Sequence, residues 1–208
     1  MKEIYLIRHG ETDYNKQGIV QGSKVNTSLN TTGQLQAQAF FEQYGHLPFE
    51  VIFTSALKRT HETVKPFINK GIEWMQFAEI NEMSWGYQEG KQRTPEMSAD
   101  YQKVMDEWAK GNFHAKLQDG ESPAEVHARC QVFVNQLFER KENTILICAH
   151  GRLNRVLVCT LLGQSLEYME SYEHQNTGLY TFRQNGHQLE LILQNDVRHF
   201  QAIAPSIL

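Results

Sequence analysis

The chain has 208 residues, with 20 Lys and Arg against 24 Asp and Glu and a formal net charge of −4. A chain of this size buries about 70% of the surface its unfolded form exposes, so a core stands without disulfides or a structural metal. The acidic balance, the lack of a basic run and the lack of any apolar stretch of spanning length set aside nucleic acid and the membrane as expected partners.

Residues 3–8 form a short apolar run that stops at His9-Gly10, the pattern of a buried strand. The run has no small-residue cleavage site, so no secretory leader is expected there. A polar, Gly-punctuated loop covers residues 10–30. Helical spacing begins at Thr31, carries Leu35, Ala39 and Phe40 on one side, and fades at Gly45. Residues 51–54 predict a second strand, and Ser55 stands where an N-cap belongs, ahead of a helix reaching about Pro66. A third strand is predicted over residues 72–80. Residues 81–120 are the least regular part, holding Trp85, Tyr87 and Trp108 and one predicted helix over residues 95–110. This part reads as an insertion over one end of the sheet.

Ser122-Pro123-Ala124-Glu125 is a capping box with Pro at the first helical position, and Val126, Cys130, Phe133 and Leu137 follow at helical spacing. Residues 144–149 are the most apolar strand and end at His150-Gly151. A helix over residues 152–162 closes at Gly163. Residues 179–183 and 189–193 flank Asn185-Gly186, a hairpin turn. Strands alternating with helices predict a mostly parallel sheet with an antiparallel hairpin at its end. The expected fold is therefore α/β: a three-layer sandwich with helices on both faces of the sheet, one domain over residues 1–208 and a lid-like insertion at about 81–120.

Three cysteines, Cys130, Cys148 and Cys159, lie in apolar contexts without a C-x-x-C pair and read as buried thiols of a cytoplasmic protein. The nine His are more informative. Two strands end in the same His-Gly dipeptide, and ligands of open parallel sheets bind beyond the carboxyl ends of strands. His9 and His150 therefore fall on one functional edge. Arg8 stands beside the first, where an unpaired charge is costly to bury unless an anion meets it. Arg59 stands one turn after Ser55, near a helix N-terminus that itself favours anions. Four cationic or potentially cationic groups at strand ends, in an acidic protein, predict a local phosphate pocket.

Arg8-His9-Gly10-Glu11-Thr12, with Ser55-x-x-x-Arg59-Thr60-x-x-Thr63 and Ala149-His150-Gly151 downstream, resembles the histidine phosphatase superfamily, in the branch named for cofactor-dependent phosphoglycerate mutase. Asn15, Gln21-Gly22, Leu29-x-x-x-Gly33, Gly120-Glu121-Ser122 and Arg129 extend the match along almost the whole chain. Glu82 falls on the family's acid position, ahead of its Gly-x-x-Glu-Gly segment.

The resemblance implies that His9 is the nucleophile, forming a phosphohistidine that water hydrolyses. It implies that Arg8, Arg59 and His150 stabilise charge on the transferred phosphoryl group and that Glu82 protonates the leaving alkoxide. Asn15, Gln21, Gly22 and Gly151 are the expected substrate-binding positions. No metal and no cofactor are required, and a small phosphorylated metabolite is the expected partner, with the oligomeric state open and a homodimer allowed. Glu89 reads as a solvated loop residue. Arg152 stands close enough to meet a second anionic group of a substrate or to form a salt bridge, and His174 borders the pocket. His46, His61, His114, His127, His187 and His199 carry no partner motif. Two other outcomes use the same features: a mutase that returns the phosphoryl group to its substrate, and a non-catalytic phospholigand binder. The sparse positive charge after Glu82, limited from Gln88 to Asp106 to Lys91, Arg93 and Lys103, favours water as the acceptor.

Overall fold

The computed structural model describes residues 1–186 and 188–202; His187 and the last six residues fall outside them. Strands β1 (Glu3–Arg8), β2 (Val51–Thr54), β3 (Glu73–Gln76), β4 (Thr144–Ala149), β5 (Leu179–Asn185) and β6 (Gln188–Asp196) form one sheet in the order β3-β2-β4-β1-β5-β6. The first four are mutually parallel, and β5 and β6 add an antiparallel hairpin beyond β1. The strongly apolar β1 and β4 are thus the inner strands, where both faces need cover.

Alternation along the strands divides the core. Ile4, Leu6, Ile145 and Ile147 point into one apolar cluster; Ile7, Leu146 and Cys148 point into the other. Helices α2 (Thr31–Tyr44) and α3 (Lys58–Asn69) cover the second cluster with Phe40, Val64 and Phe67. Helices α5 (Pro123–Glu139) and α6 (Gly151–Leu162) cover the first with Phe133, Leu137, Val156 and Leu157. Helix α4 (Pro95–Ala109) joins that side through Val104 and Trp108. The three layers follow from strands that are apolar on both faces.

Several local expectations hold in detail. The Ser122 hydroxyl accepts from the Glu125 amide and Glu125 returns to the Ser122 amide, closing the capping box of α5. All three cysteines are free and buried. No helix among the described residues is long and apolar enough to cross a membrane.

Others are corrected. The 10–30 loop contains a short helix, α1 (Asp13–Gln17), capped reciprocally by Thr12 and Asn15. Ser55 is not the N-cap of α3: that place belongs to Leu57, while the Ser55 hydroxyl accepts from the Leu57 amide and faces His150. The helix passes through Pro66 to Asn69. Predicted strand 72–80 is cut short at Gln76, because a 3-10 turn at Ala78–Ile80 bends the chain back over the sheet end. That bend delivers Glu82 to the functional edge.

Candidate active site

Parallel register places the ends of β1, β2 and β4 side by side: Arg8 opposite Ala149, and Thr54 opposite Cys148. The residues that follow each strand therefore converge. A cavity of about 560 Å³ opens there, and Arg8, His9, Asn15, Gln21, Arg59, Glu82 and Gly151 all line it. Residues drawn from most of the chain length meet because their strands end on one edge.

His9 is buried, and its Nδ1 lies 2.7 Å from the Gly10 carbonyl oxygen. A carbonyl only accepts, so Nδ1 carries the proton and Nε2 keeps its lone pair. Burial, then the neighbouring Arg59 and Arg8, hold the His9 pKa well below the ordinary imidazole value. The ring is thus neutral and nucleophilic. Its backbone is pinned as well: the Asn176 amide donates to the His9 carbonyl at 2.8 Å, and the Gly10 amide donates to Thr63 Oγ1 at 2.9 Å.

Gly10 has a different use from the one its place after His9 suggests. A Cβ there would stand 2.6 Å from the Gly33 carbonyl oxygen, so the glycine admits the first turn of α2 rather than a ligand. Gly151 does line the cavity, at the first position of α6, where helix amides lack internal partners.

Arg59 is wholly buried yet has no carboxylate bonded to it among the described residues. Its guanidinium donates to the Val25 carbonyl at 2.6 Å, the Gly22 carbonyl at 3.4 Å and His150 Nδ1 at 3.2 Å. Desolvation lowers its pKa to about 10, so it remains charged at neutral pH. Gly22 stands behind this guanidinium and off the cavity wall; a Cβ there would strike the Glu89 carboxylate at 2.4 Å. The expectation that Gly22 meets substrate is replaced by a bracing role. Arg8 donates to the His174 carbonyl at 3.0 Å, while its buried Nε has no partner among the described residues.

His150 is wholly buried and does not line the cavity itself. Its Nδ1 accepts from Arg59, so its Nε2 carries the proton and donates to Ser55 Oγ at 2.7 Å. Its ring centroid lies 5.3 Å from that of His9. Asn15 uses its side-chain oxygen in the Thr12 cap, leaving its amide nitrogen without a partner among the described residues. Gln21 lines the cavity with both ends engaged, donating to Thr12 Oγ1 and accepting from Thr27 Oγ1.

Glu82 is buried, and its carboxylate accepts from the amides of Met83 at 2.8 Å, Leu153 at 2.8 Å and Arg152 at 3.2 Å. Two of these belong to the first turn of α6, where the helix dipole favours an anion. Glu89 is no solvated loop residue: it accepts from Ser84 Oγ and from the amides of Trp85 and Lys24, clamping the turn that carries Glu82.

Arg152 lines the cavity and forms the salt bridge that its position allowed, with Glu170. His174 borders the cavity, stacked 4.2 Å from the Tyr180 ring. Tyr14 and Asn176 carried no signal in the sequence, whereas Arg155 follows Arg152 one turn along α6 and reaches the same cavity. His61, His127 and His199 bond within the chain, to Ser55, Thr160 and Thr177, and His46 and His114 are exposed. No cluster of three or more His, Cys, Asp or Glu with metal-binding geometry occurs among the described residues.

A fold whose strand ends gather a neutral His, the guanidiniums of Arg8 and Arg59 and a helix-held carboxylate presents a site suited to a phosphoryl group. The chain belongs to the histidine phosphatase superfamily, branch 1, whose family model matches residues 4–197. It is 27% identical over 200 residues to a putative phosphoserine phosphatase 2 of Hydrogenobacter thermophilus, covering 96% of this chain and 98% of the relative. A probable phosphoglycerate mutase GpmB of an Enterobacter strain is also 27% identical, over 78% of this chain and 76% of its own. Among solved structures, a putative alpha-ribazole-5'-P phosphatase of Escherichia coli superposes with a TM-score of 0.84 at 24% identity, covering 94% of this chain and 97% of the other.

Proposed function

We propose that this chain is a metal-independent phosphomonoester hydrolase of small phosphorylated metabolites, acting through a phosphohistidine at His9. The observation that carries the reading is the His9 Nδ1 contact with the Gly10 carbonyl, which leaves Nε2 unprotonated on a cavity walled by Arg8 and Arg59. Nε2 attacks phosphorus, and the bond from phosphorus to the ester oxygen breaks. Arg8 and Arg59 neutralise charge on the equatorial oxygens. His150 accepts from Arg59 Nε at its Nδ1 and so orients that guanidinium toward the phosphoryl oxygens. Glu82 enters this step as the carboxylic acid, gives its proton to the leaving alkoxide and is left as the carboxylate. Water then attacks the phosphohistidine, gives its proton to the Glu82 carboxylate, and releases inorganic phosphate with His9 restored. Asn15 and Gly151 add neutral donors.

The whole chain works as one domain, with residues 81–120 as its lid-like insertion. The cytoplasm is the compartment that suits three free, buried thiols. Neither nucleic acid nor membrane is among the partners, and a homodimer is compatible with the site.

Incubation with p-nitrophenyl phosphate from about pH 5 to 7.5 tests the reading at the imidazole titration range. Wild type should release phosphate, and His9→Ala should lose both turnover and the acid-labile phosphoenzyme. Normal phosphoenzyme labelling in His9→Ala would remove His9 as nucleophile. The mutase reading draws on the GpmB relative; isomerisation of added phosphoglycerate that outpaces phosphate release would put it first.

A further inference from the structure

Five arginines reach the cavity wall, and Glu82 is the carboxylate among its lining residues. Arg8 and Arg59 serve the phosphoryl group. The other three form a second group on the α4 side. Arg152 donates to the Tyr101 hydroxyl at 2.9 Å, and its guanidinium lies 5.4 Å from the Trp108 ring centroid. Arg93 stacks on the same Tyr101 ring at 4.6 Å, with no carboxylate partner among the described residues. Arg155 and Arg152 share one carboxylate, Glu170, which stands off the cavity wall. Three guanidiniums therefore face a single counter-charge.

Like charges gathered on an aromatic wall repel, and more so as water is displaced. Tyr101, Glu170 and two indole rings fix the Arg152 guanidinium on the cavity wall before any ligand arrives. Guanidinium forks match carboxylate and phosphate oxygens. A dianionic phosphoryl group held by Arg8 and Arg59 leaves this second group unneutralised.

We infer that Arg152, with Arg93 and Arg155, binds a second anionic group of the substrate. The physiological substrate is then a phosphomonoester that also carries a carboxylate or a second phosphoryl group. The inference rests on the phosphatase reading above and adds the substrate class to it.

Calorimetric titration with three hydrolysis-resistant ligands tests it: propylphosphonate, 3-phosphonopropionate and propane bisphosphonate. The wild-type protein should bind the carboxylate ligand, the bisphosphonate or both about 10- to 100-fold tighter than propylphosphonate. Which of the two gains identifies the second group as carboxylate or phosphoryl. Arg152→Leu, which keeps the backbone amide that Glu82 accepts from, should lose most of that preference. Arg93→Gln should lose part of it, and Arg93 is exposed, so its replacement does not threaten folding. Equal binding of all three ligands by wild type overturns the inference, as does a preference that survives in both variants. Hydrolysis of p-nitrophenyl phosphate by the same samples separates the two readings. Activity without a preference overturns only the second-anion wall, and a preference without activity sustains the wall while overturning the phosphatase.

Discussion

Arg59 and His150 meet side chain to side chain, with Arg59 Nε donating to His150 Nδ1 at 3.2 Å and neither residue exposed. The accepting nitrogen must be unprotonated, so this bond keeps His150 neutral. Burial, and next the charge of Arg59, hold its pKa well below the ordinary imidazole value. The same bond leaves Arg59 as a buried cation whose bonded partners are two carbonyls and a neutral ring. Such an environment favours an arriving anion over water.

Inorganic phosphate should therefore raise the thermal stability of the wild-type protein. At about 100 times its dissociation constant the gain is about 2.7 kcal/mol, since a ligand that binds only the folded state stabilises it by mass action. Arg59→Met removes the cation while filling similar space, and its melting temperature should no longer respond to phosphate. Melting scans over a phosphate series check this; an unchanged response in the variant would mean that phosphate binds elsewhere.

Glu82→Gln keeps the size of the side chain but cannot donate an acidic proton. Hydrolysis of alkyl phosphates should slow by about 10²- to 10⁴-fold, while p-nitrophenyl phosphate, whose leaving group needs little protonation, should lose far less. Parallel kcat measurements on both esters decide the matter. Equal losses would assign Glu82 to holding the first turn of α6, through the Leu153 and Arg152 amides, in place of acid catalysis.

Much of this site was legible before any coordinates. Arg8, His9 and His150 could be placed because they terminate apolar runs, and a parallel sheet brings such termini to one edge. The capping box at Ser122 was equally local in origin. What stayed hidden depends on distant partners. Ser55 has the residue type of an N-cap, but the approach of His150 from another strand end claims its hydroxyl. Glu89 looked solvated because its acceptors' partners, Ser84, Trp85 and Lys24, come from a loop fold that no periodicity encodes. The basic wall was underestimated for the same reason: only Arg93 lies in the segment after Glu82, while Arg152 and Arg155 arrive on α6.

Gly33 is a sharp test of the packing beneath His9. In an ordinary helix interior, Gly→Ala stabilises by about 1 kcal/mol. Here a Cβ would stand 2.1 Å from the Glu11 carbonyl oxygen, and that atom is backbone with no rotamer to yield. Overpacking of this kind costs about 1–3 kcal/mol, so the clash wins over propensity. Gly33→Ala should lower stability by up to about 2 kcal/mol net and, by pushing the 9–11 segment, reduce kcat as well. Urea unfolding and a pNPP assay check both effects; a variant as stable and active as wild type would mean that the α2 N-terminus shifts freely.

Acid should weaken the fold through its buried neutral histidines, and His199 gives the size of the effect. It is 1% exposed, its ring packs edge-on against Phe40 at 5.3 Å, and its Nε2 bonds Thr177 Oγ1 at 2.8 Å. Desolvation lowers its pKa to about 4, with Asp196 opposing. The unfolded chain, titrating near 6.5, then binds more protons than the folded one between the two values. Stability is full above about pH 6.5 and is lost progressively as pH falls towards 4, with a loss of about 2 kcal/mol at pH 5 from this residue alone. His9, His150 and His174, all shifted downward, act in the same direction. His199→Gln removes one titrating group, so its stability should fall less steeply between pH 7 and pH 5, by about the same 2 kcal/mol. Urea midpoints of both proteins at the two pH values measure the difference, and identical slopes would show that His199 binds its proton equally in the folded and unfolded chain.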